Sequence, residues 1–333
     1  MGAFMITRAL AACALALAAV LAAAPSQGAV EQEYVVAGVG KDRTPWFVRH
    51  AQGIMDGAKE NGLRAFYAAA TTADVSDQAG VMEQCLKHGA RALLAVPNSA
   101  DELVDAFSRA RGKGVAVVTH ESPFQVGADI DVEMVDGNRF GQRIMDEFAR
   151  ISGRKGGSYA LLVGSLTVPG HSRWAYAAVE WQRSHYPELK LAATLPVAED
   201  RDASRRATLD LLSRHKDLAG IICLGSEGAP GVAAALRSLA HPRRDLTVIG
   251  VTTPNVARQD VKDGYIDELI LWDPAMAGRI QAYVAKVLLD GRRDLIRPGF
   301  AVPGFGEPEI LGNTLVFDRP LFIGRDNIEK YDF

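Results

Sequence analysis

The sequence predicts an α/β fold of two doubly wound parallel-sheet lobes joined by a multi-crossing hinge, and three observations carry that expectation. Strand-like and helix-like segments alternate through short connections from Glu33 onward. The strand segments are near-continuous apolar runs, such as ALLAV at 92–96 and VAVVT at 115–119, which is how strands covered on both faces by crossover helices read. The alternation pauses at 121–126 and then restarts, so two successive units of similar kind follow one another.

In the first unit a strand at 34–39 is followed by a helix at 45–61, opened by Thr44 as N-cap and Pro45 in the first turn. Strand 64–69, helix 76–88, strand 92–96, helix 100–113 and strand 115–119 complete it. The second unit reads as strand 132–135, helix 138–151, strand 159–163, helix 172–186, strand 190–196, helix 201–215, strand 220–224, helix 228–239, strand 247–251, helix 255–263 and strand 268–271. A helix at 274–289 and an irregular, partly Gly/Pro-rich segment to 333 are too short for a third domain and must add to the first two. The expected division is a signal segment at 1–28, an N-terminal lobe at 29–121 plus 274–296, and a C-terminal lobe at 122–273 plus 297–333. In such sheets ligands sit outside the carboxyl ends of the strands, so those ends are where chemistry is sought.

At 333 residues the chain has room for two domains of about 100–200 residues each. Its 37 basic and 40 acidic residues are interspersed and sum to −3, which gives no basic footprint for nucleic acid and no acidic tail. A small molecule or another protein is the partner this balance implies.

Residues 1–28 differ from the remainder. Arg8 ends a short leading region, residues 9–24 are almost all Ala, Leu and Val, and Ser26-Gln27-Gly28 offers a small-x-small cleavage site. This is read as a secretory signal, so export with cleavage is expected. The apolar run of about 16 residues falls short of the roughly 20 that span a bilayer. Leu10-Ala11-Ala12-Cys13 matches a lipoprotein box, but only Ala9 of the apolar run precedes it, so acylation is not expected. Cleavage leaves Cys85 in a helix and Cys223 in a buried strand, read as two reduced thiols rather than a disulfide.

The loop Gly38-Val39-Gly40-Lys41 between a strand and a helix has the outline of a phosphate loop. A Walker loop needs glycine where Val35 stands and a hydroxyl where Asp42 stands, and the dinucleotide fingerprint needs glycine where Arg43 stands. Nucleotide binding is therefore not expected, and no cofactor is. Trp46 and Phe47 open the following helix beside the strand end. Trp46 is expected to face a ligand; Phe47 either does so or packs in the core.

Thr119-His120-Glu121-Ser122 ends another strand, and Glu121 is the strongest ligand candidate, because a carboxylate accepts two hydroxyl hydrogen bonds; a solvated hinge residue is the alternative. Gly170-His171-Ser172-Arg173-Trp174 nearly matches a nucleophile elbow, but Trp174 occupies a position that must be small. Ser172 then reads as a helix cap, with His171 and Arg173 as polar ligands. Ser226 and Glu227 after one strand, and Thr252 after the next, are explained by capping but could contact a ligand. Trp272-Asp273 before Pro274 couples an aromatic platform to a carboxylate, though Asp273 is equally an N-cap. The seven histidines show no metal-ligand spacing, so no metal site is expected, and no carboxylate pair comes with a nucleophile signature that would indicate an enzyme.

TPWF at 44–47, THES at 119–122, VIGVTTPNV at 248–256 with LWDP at 271–274, and the closing NIEKYDF together resemble the type I periplasmic sugar-binding proteins of ABC importers, nearest to the autoinducer-2-binding and rhamnose-binding group. The resemblance spans the mature chain. It implies a periplasmic binding protein type I fold whose lobes close on a ligand and present it to a membrane permease without chemistry. It places Lys41 on a ligand lysine and Glu121 on a ligand aspartate of the autoinducer-2 proteins. Pro169-Gly170-His171 and Leu224-Gly225-Ser226 depart from their pattern, which argues against autoinducer-2. Beside ribose-binding relatives, Pro45-Trp46-Phe47 resembles their Pro-Phe-Phe platform, Arg173 falls on a ligand arginine, Ser226 on an asparagine, Thr252 on an aspartate and Trp272 on a glutamine, so ribose is not expected either.

The expected protein is a monomeric solute-binding component that takes a sugar or sugar-like polyol. Trp46 and Trp272 would sandwich the ring, and Lys41, Glu121, Arg173, Ser226 and Asp273 would hold the hydroxyls. A ligand-binding sensor docking on a transmembrane receptor shares every one of these features. A secreted hydrolase using Ser172 is the enzyme alternative.

Overall fold

Residues 35–133 run through five parallel strands and residues 157–271 through five more, in a computed structural model that describes residues 33–71, 74–153, 156–239 and 245–333. The expected signal segment with its Cys13 box, and His241, lie outside the described residues. In chain order the first run is β1 (Val35–Gly40), α1 (Pro45–Glu60), β2 (Arg64–Ala69), α2 (Val75–Lys87), β3 (Ala92–Ala95), α3 (Val104–Gly112), β4 (Ala116–His120) and β5 (Ile130–Glu133). The second begins with α4 (Gly137–Ser152) and continues β6 (Gly157–Val163), α5 (Pro169–His185), β7 (Leu189–Pro196), α6 (Arg201–Arg214), β8 (Leu218–Cys223), α7 (Gly228–Ser238), β9 (Thr247–Gly250), α8 (Pro254–Lys262) and β10 (Glu268–Leu271). The chain then forms α9 (Pro274–Leu289) and three short strands, β11 (Glu309–Leu311), β12 (Thr314–Val316) and β13 (Leu321–Gly324).

Both sheets repeat one order. The first reads β2-β1-β3-β4-β5 and the second β7-β6-β8-β9-β10. Each therefore reverses direction beside its first strand, the topological switch point at which loops splay apart and leave a crevice. Side chains alternate across the first sheet as its period of two requires. Val36 and Leu94 belong to the main core with Ile54 of α1, while Ala37, Val39 and Leu93 join Met82, Leu103 and Phe107 on the opposite face. Cys85 and Cys223 are free and buried, and burial raises both thiols, Cys85 to about 11.

Helix α9 returns to the first sheet, packing on α1, β3, β4 and β5. The approach of α1 to α9 is close enough to require glycine: a Cβ on Gly53 would stand 2.1 Å from the Ala275 carbonyl oxygen, and one on Gly278 2.6 Å from that of His50.

The C-terminal segment differs from the irregular chain the sequence suggests. β12 extends the first sheet parallel to β5, β11 pairs antiparallel with β12, and β13 closes the edge of the second sheet antiparallel to β10. Strands of three or four residues leave too little pattern to detect. The boundary expected after Glu121 also differs, because it assigns β5, β11 and β12 to the C-terminal lobe, whereas all three hydrogen-bond into the first sheet. The pause at 121–126 is a turn between two neighbouring strands of one sheet, not the passage between lobes. The chain passes between the sheets after β5, after β10 and after β12.

Candidate functional site

The loop after β1 is shaped by Tyr67. A Cβ on Gly38 would lie 2.3 Å from its ring and one on Gly40 2.4 Å from its hydroxyl, so the two glycines make room for that side chain. Asp42 accepts the Thr44 N–H at 2.8 Å, and Lys41 turns inward, fully buried. Its ammonium donates to Glu121 Oε2 at 2.6 Å. Glu121 holds a left-handed backbone at φ 58°, a conformation uncommon outside glycine and characteristic of functional turns. Burial pushes its carboxyl up, but the Lys41 charge and hydrogen bond, helped by His120 and His171, hold it at about 2.

Two neutral histidines back this ion pair. His120 is held neutral chiefly by burial; its Nδ1–H donates to the Val132 carbonyl at 2.6 Å, and its Nε2 lies 3.7 Å from Glu121 Oε1. His50 is lowered to about 4 by burial and by His120. Its Nε2–H donates to Gln281 Oε1 at 2.6 Å while Nδ1 accepts from the Tyr67 hydroxyl at 3.2 Å. The orientation follows because Gln281 Nε2 donates to the Val118 carbonyl.

The second lobe supplies the opposite wall. Gly164 N–H donates to His171 Nδ1 at 3.0 Å, which leaves the His171 proton on Nε2, 3.8 Å from Glu199 Oε1. Burial and then Lys41 lower His171 to about 3. Ser226 donates to Glu199 Oε2 at 3.2 Å and reaches Thr44 Oγ1 of the first lobe at 3.5 Å. Burial is the largest influence on Glu199 and raises it; Lys41 opposes, Asp42 and Glu121 add to the rise, and the carboxyl stands at about 8.

Lys41, Trp46, Phe47 and Glu121 from the first lobe therefore meet His171, Trp174, Glu199, Leu224, Ser226 and Val251 from the second around one space. That space is about 10 Å³, roughly room for one water and far below the about 300–1,000 Å³ of a small-molecule pocket. Admitting a ligand requires the lobes to part. A far larger hollow lies elsewhere, between α1, β2 and α2, with a mostly apolar lining; convergence of ionisable groups, not volume, distinguishes the interlobe site.

Six of the ten sequence-expected residues sit in or on this cluster: Lys41, Trp46, Phe47, Glu121, His171 and Ser226. The other four do not line it. Trp272 is buried behind it, edge-to-face with Trp46 at 5.3 Å and 84° and with Trp174 at 5.5 Å, so the expected sandwich of a ring between Trp46 and Trp272 is not formed. Arg173 lines a separate small cavity with Glu133, Asp136 and Thr314. His171 and Trp174 are three apart on α5 and share its inward face, and this turns Arg173 aside. Thr252 is buried but outside the lining, where its neighbour Val251 stands. Asp273 holds Arg49 through two contacts of 2.8 and 2.7 Å and caps α9 through the Ala275 N–H at 2.9 Å, so its oxygens are engaged. Glu199 and Trp174 were not anticipated. Glu199 adjoins Asp200, whose carboxylate caps α6 through the Ala203 N–H, and the pair reads in sequence as capping chemistry. Among the described residues no cluster of His, Cys, Asp and Glu has metal-binding arrangement.

A family model described as periplasmic binding protein domain matches residues 35–293. The D-allose-binding periplasmic protein of Escherichia coli is 23% identical over 262 residues, covering 75% of this chain and 81% of that protein. Among solved structures, LsrB from Clostridium saccharobutylicum in complex with AI-2 superposes with a TM-score of 0.82 at 21% identity, over 90% of this chain and 100% of that one. A solute binding protein from Clostridium phytofermentas with bound L-rhamnose gives 0.81 at 19% identity, over 90% and 98%.

Proposed function

The chain belongs to the periplasmic binding protein domain family, and from that premise we propose that it captures a sugar or sugar-like polyol between its two lobes and delivers it to the permease of an ABC importer. The observation that carries this reading is the meeting of Lys41, Glu121, Glu199, His171 and Ser226 with Trp46 and Trp174 at strand ends of both sheets. Carboxylates and an ammonium suit hydroxyl groups, and indole faces suit the apolar faces of a ring. The lobes move as hinged bodies, and closure on the ligand is the signal to the permease. The periplasm is the working compartment, the mature protein acts as a monomer, and binding involves no bond making. We place the lobe boundary in the three segments that pass between the sheets, with α9 and β12 in the first lobe.

A thermal-shift screen over D-allose, L-rhamnose, pentoses, tetritols and autoinducer-2 tests the proposal. A ligand that binds the folded state raises the melting temperature by mass action, by about 2.7 kcal/mol of stability at a hundredfold excess over Kd. No shift with any of these compounds sinks the sugar reading.

A further inference from the structure

We propose that closing the two lobes is coupled to protonation of Glu199, so that the cleft shuts more readily as the pH falls. This rests on the reading of a hinged cleft but concerns the regulation of the site rather than its ligand. Glu199 follows β7 in the second lobe, and among the described residues its own lobe sets the Ser226 hydroxyl and the neutral His171 against it. The charges that face it in the closed cleft come from the first lobe: Lys41 and Asp42 after β1, and Glu121 after β4. Of these the single ammonium is committed to Glu121 at 2.6 Å. Arg43 and Asp200 share the outer mouth with Asp42 and Glu199, and Glu227 at the start of α7 is paired with Arg201 at 2.7 Å. Closure thus brings two carboxylates and an already neutralised lysine against Glu199 and leaves its side chain only 12% exposed.

A carboxylate in that setting lowers its free energy by taking a proton from solvent. The sign follows from linkage. In the parted cleft Glu199 faces water and titrates near the ordinary 4.5; in the closed cleft it titrates at about 8. Between those values the closed form holds one proton more, so the ratio of closed to open protein falls by about tenfold per pH unit as pH rises.

The test uses the ligand-free full chain. Glutamate carboxyl carbons are labelled with carbon-13, the Glu199 resonance is identified by its loss in Glu199→Gln and in Glu199→Ala, and small-angle scattering is recorded from pH 5.5 to 9. The expected result is a Glu199 titration above pH 7, with wild-type protein expanding as the pH rises and Glu199→Gln, an isostere of the neutral acid, staying compact throughout. A Glu199 titration below pH 5, unchanged wild-type scattering, or equal expansion of Glu199→Gln each overturns the proposal. Neither readout uses a sugar, so an empty ligand screen would remove the transport reading and leave this test standing.

Discussion

Glu121 concentrates several costs in one side chain. It is buried, it carries a left-handed backbone worth on the order of 1–3 kcal/mol of strain, and its charge is met chiefly by Lys41. Glu121→Ala leaves the Lys41 ammonium buried without a partner, and chemical denaturation should report a loss of about 3–5 kcal/mol. The double variant Lys41→Met with Glu121→Leu should recover most of that stability while remaining unable to bind ligand, because replacing a buried ion pair with apolar groups is often neutral or better. The carboxyl is depressed to about 2, so its contribution is complete above the ordinary value near 4.5 and is lost as pH falls toward 2. The stability difference between wild type and Glu121→Gln should therefore shrink across that window, and a difference constant with pH would contradict the assignment. The members of the interlobe cluster legible in sequence were those that follow fully buried strands, Lys41 and Glu121 above all, since an ionisable group there has no bland place to go. Trp272, Arg173, Thr252 and Asp273 lie off the lining because strand-end position says which residues are near a cleft, whereas rotation about the helix and competition from caps and Arg49 decide which of them face it.

The alternating elements were readable because buried parallel strands are unbroken apolar runs and their crossover helices begin at Pro45, Pro169, Pro254 and Pro274. β11 to β13 and the true membership of β5 were not, since pairing partners far apart in the chain leave no local pattern. Two helical glycines, Gly53 in the contact of α1 with α9 and Gly80 on the open face of α2, give predictions of opposite sign. Gly53→Ala should cost about 1–3 kcal/mol by overpacking, because its Cβ meets the Ala275 backbone, which cannot turn away as a side chain could. Gly80→Ala in α2 has nothing within 4 Å of the new methyl and should stabilise by about 0.5–1 kcal/mol through helix propensity. Urea midpoints of the two variants, moving in opposite directions from wild type, would check both.

At the scale of the molecule, the lobes are tied together by segments that are distant in sequence and by hydrogen bonds across the mouth, such as Thr167 Oγ1 to the Asn98 carbonyl at 3.4 Å. Removing residues 309–333 would strip β11, β12 and β13 and leave β5 and β10 as unpaired edges. Circular dichroism should then show retained helical signal without a single cooperative thermal transition, and a sharp wild-type-like transition would count against this account of how the sheets are completed.

The late strands also govern when the protein can become itself. β12 finishes the first sheet and β13 the second, so neither half has its full complement of partners until residues 314–324 have left the ribosome. For most of its synthesis the chain is an unfinished polymer, and its two halves reach completion almost together.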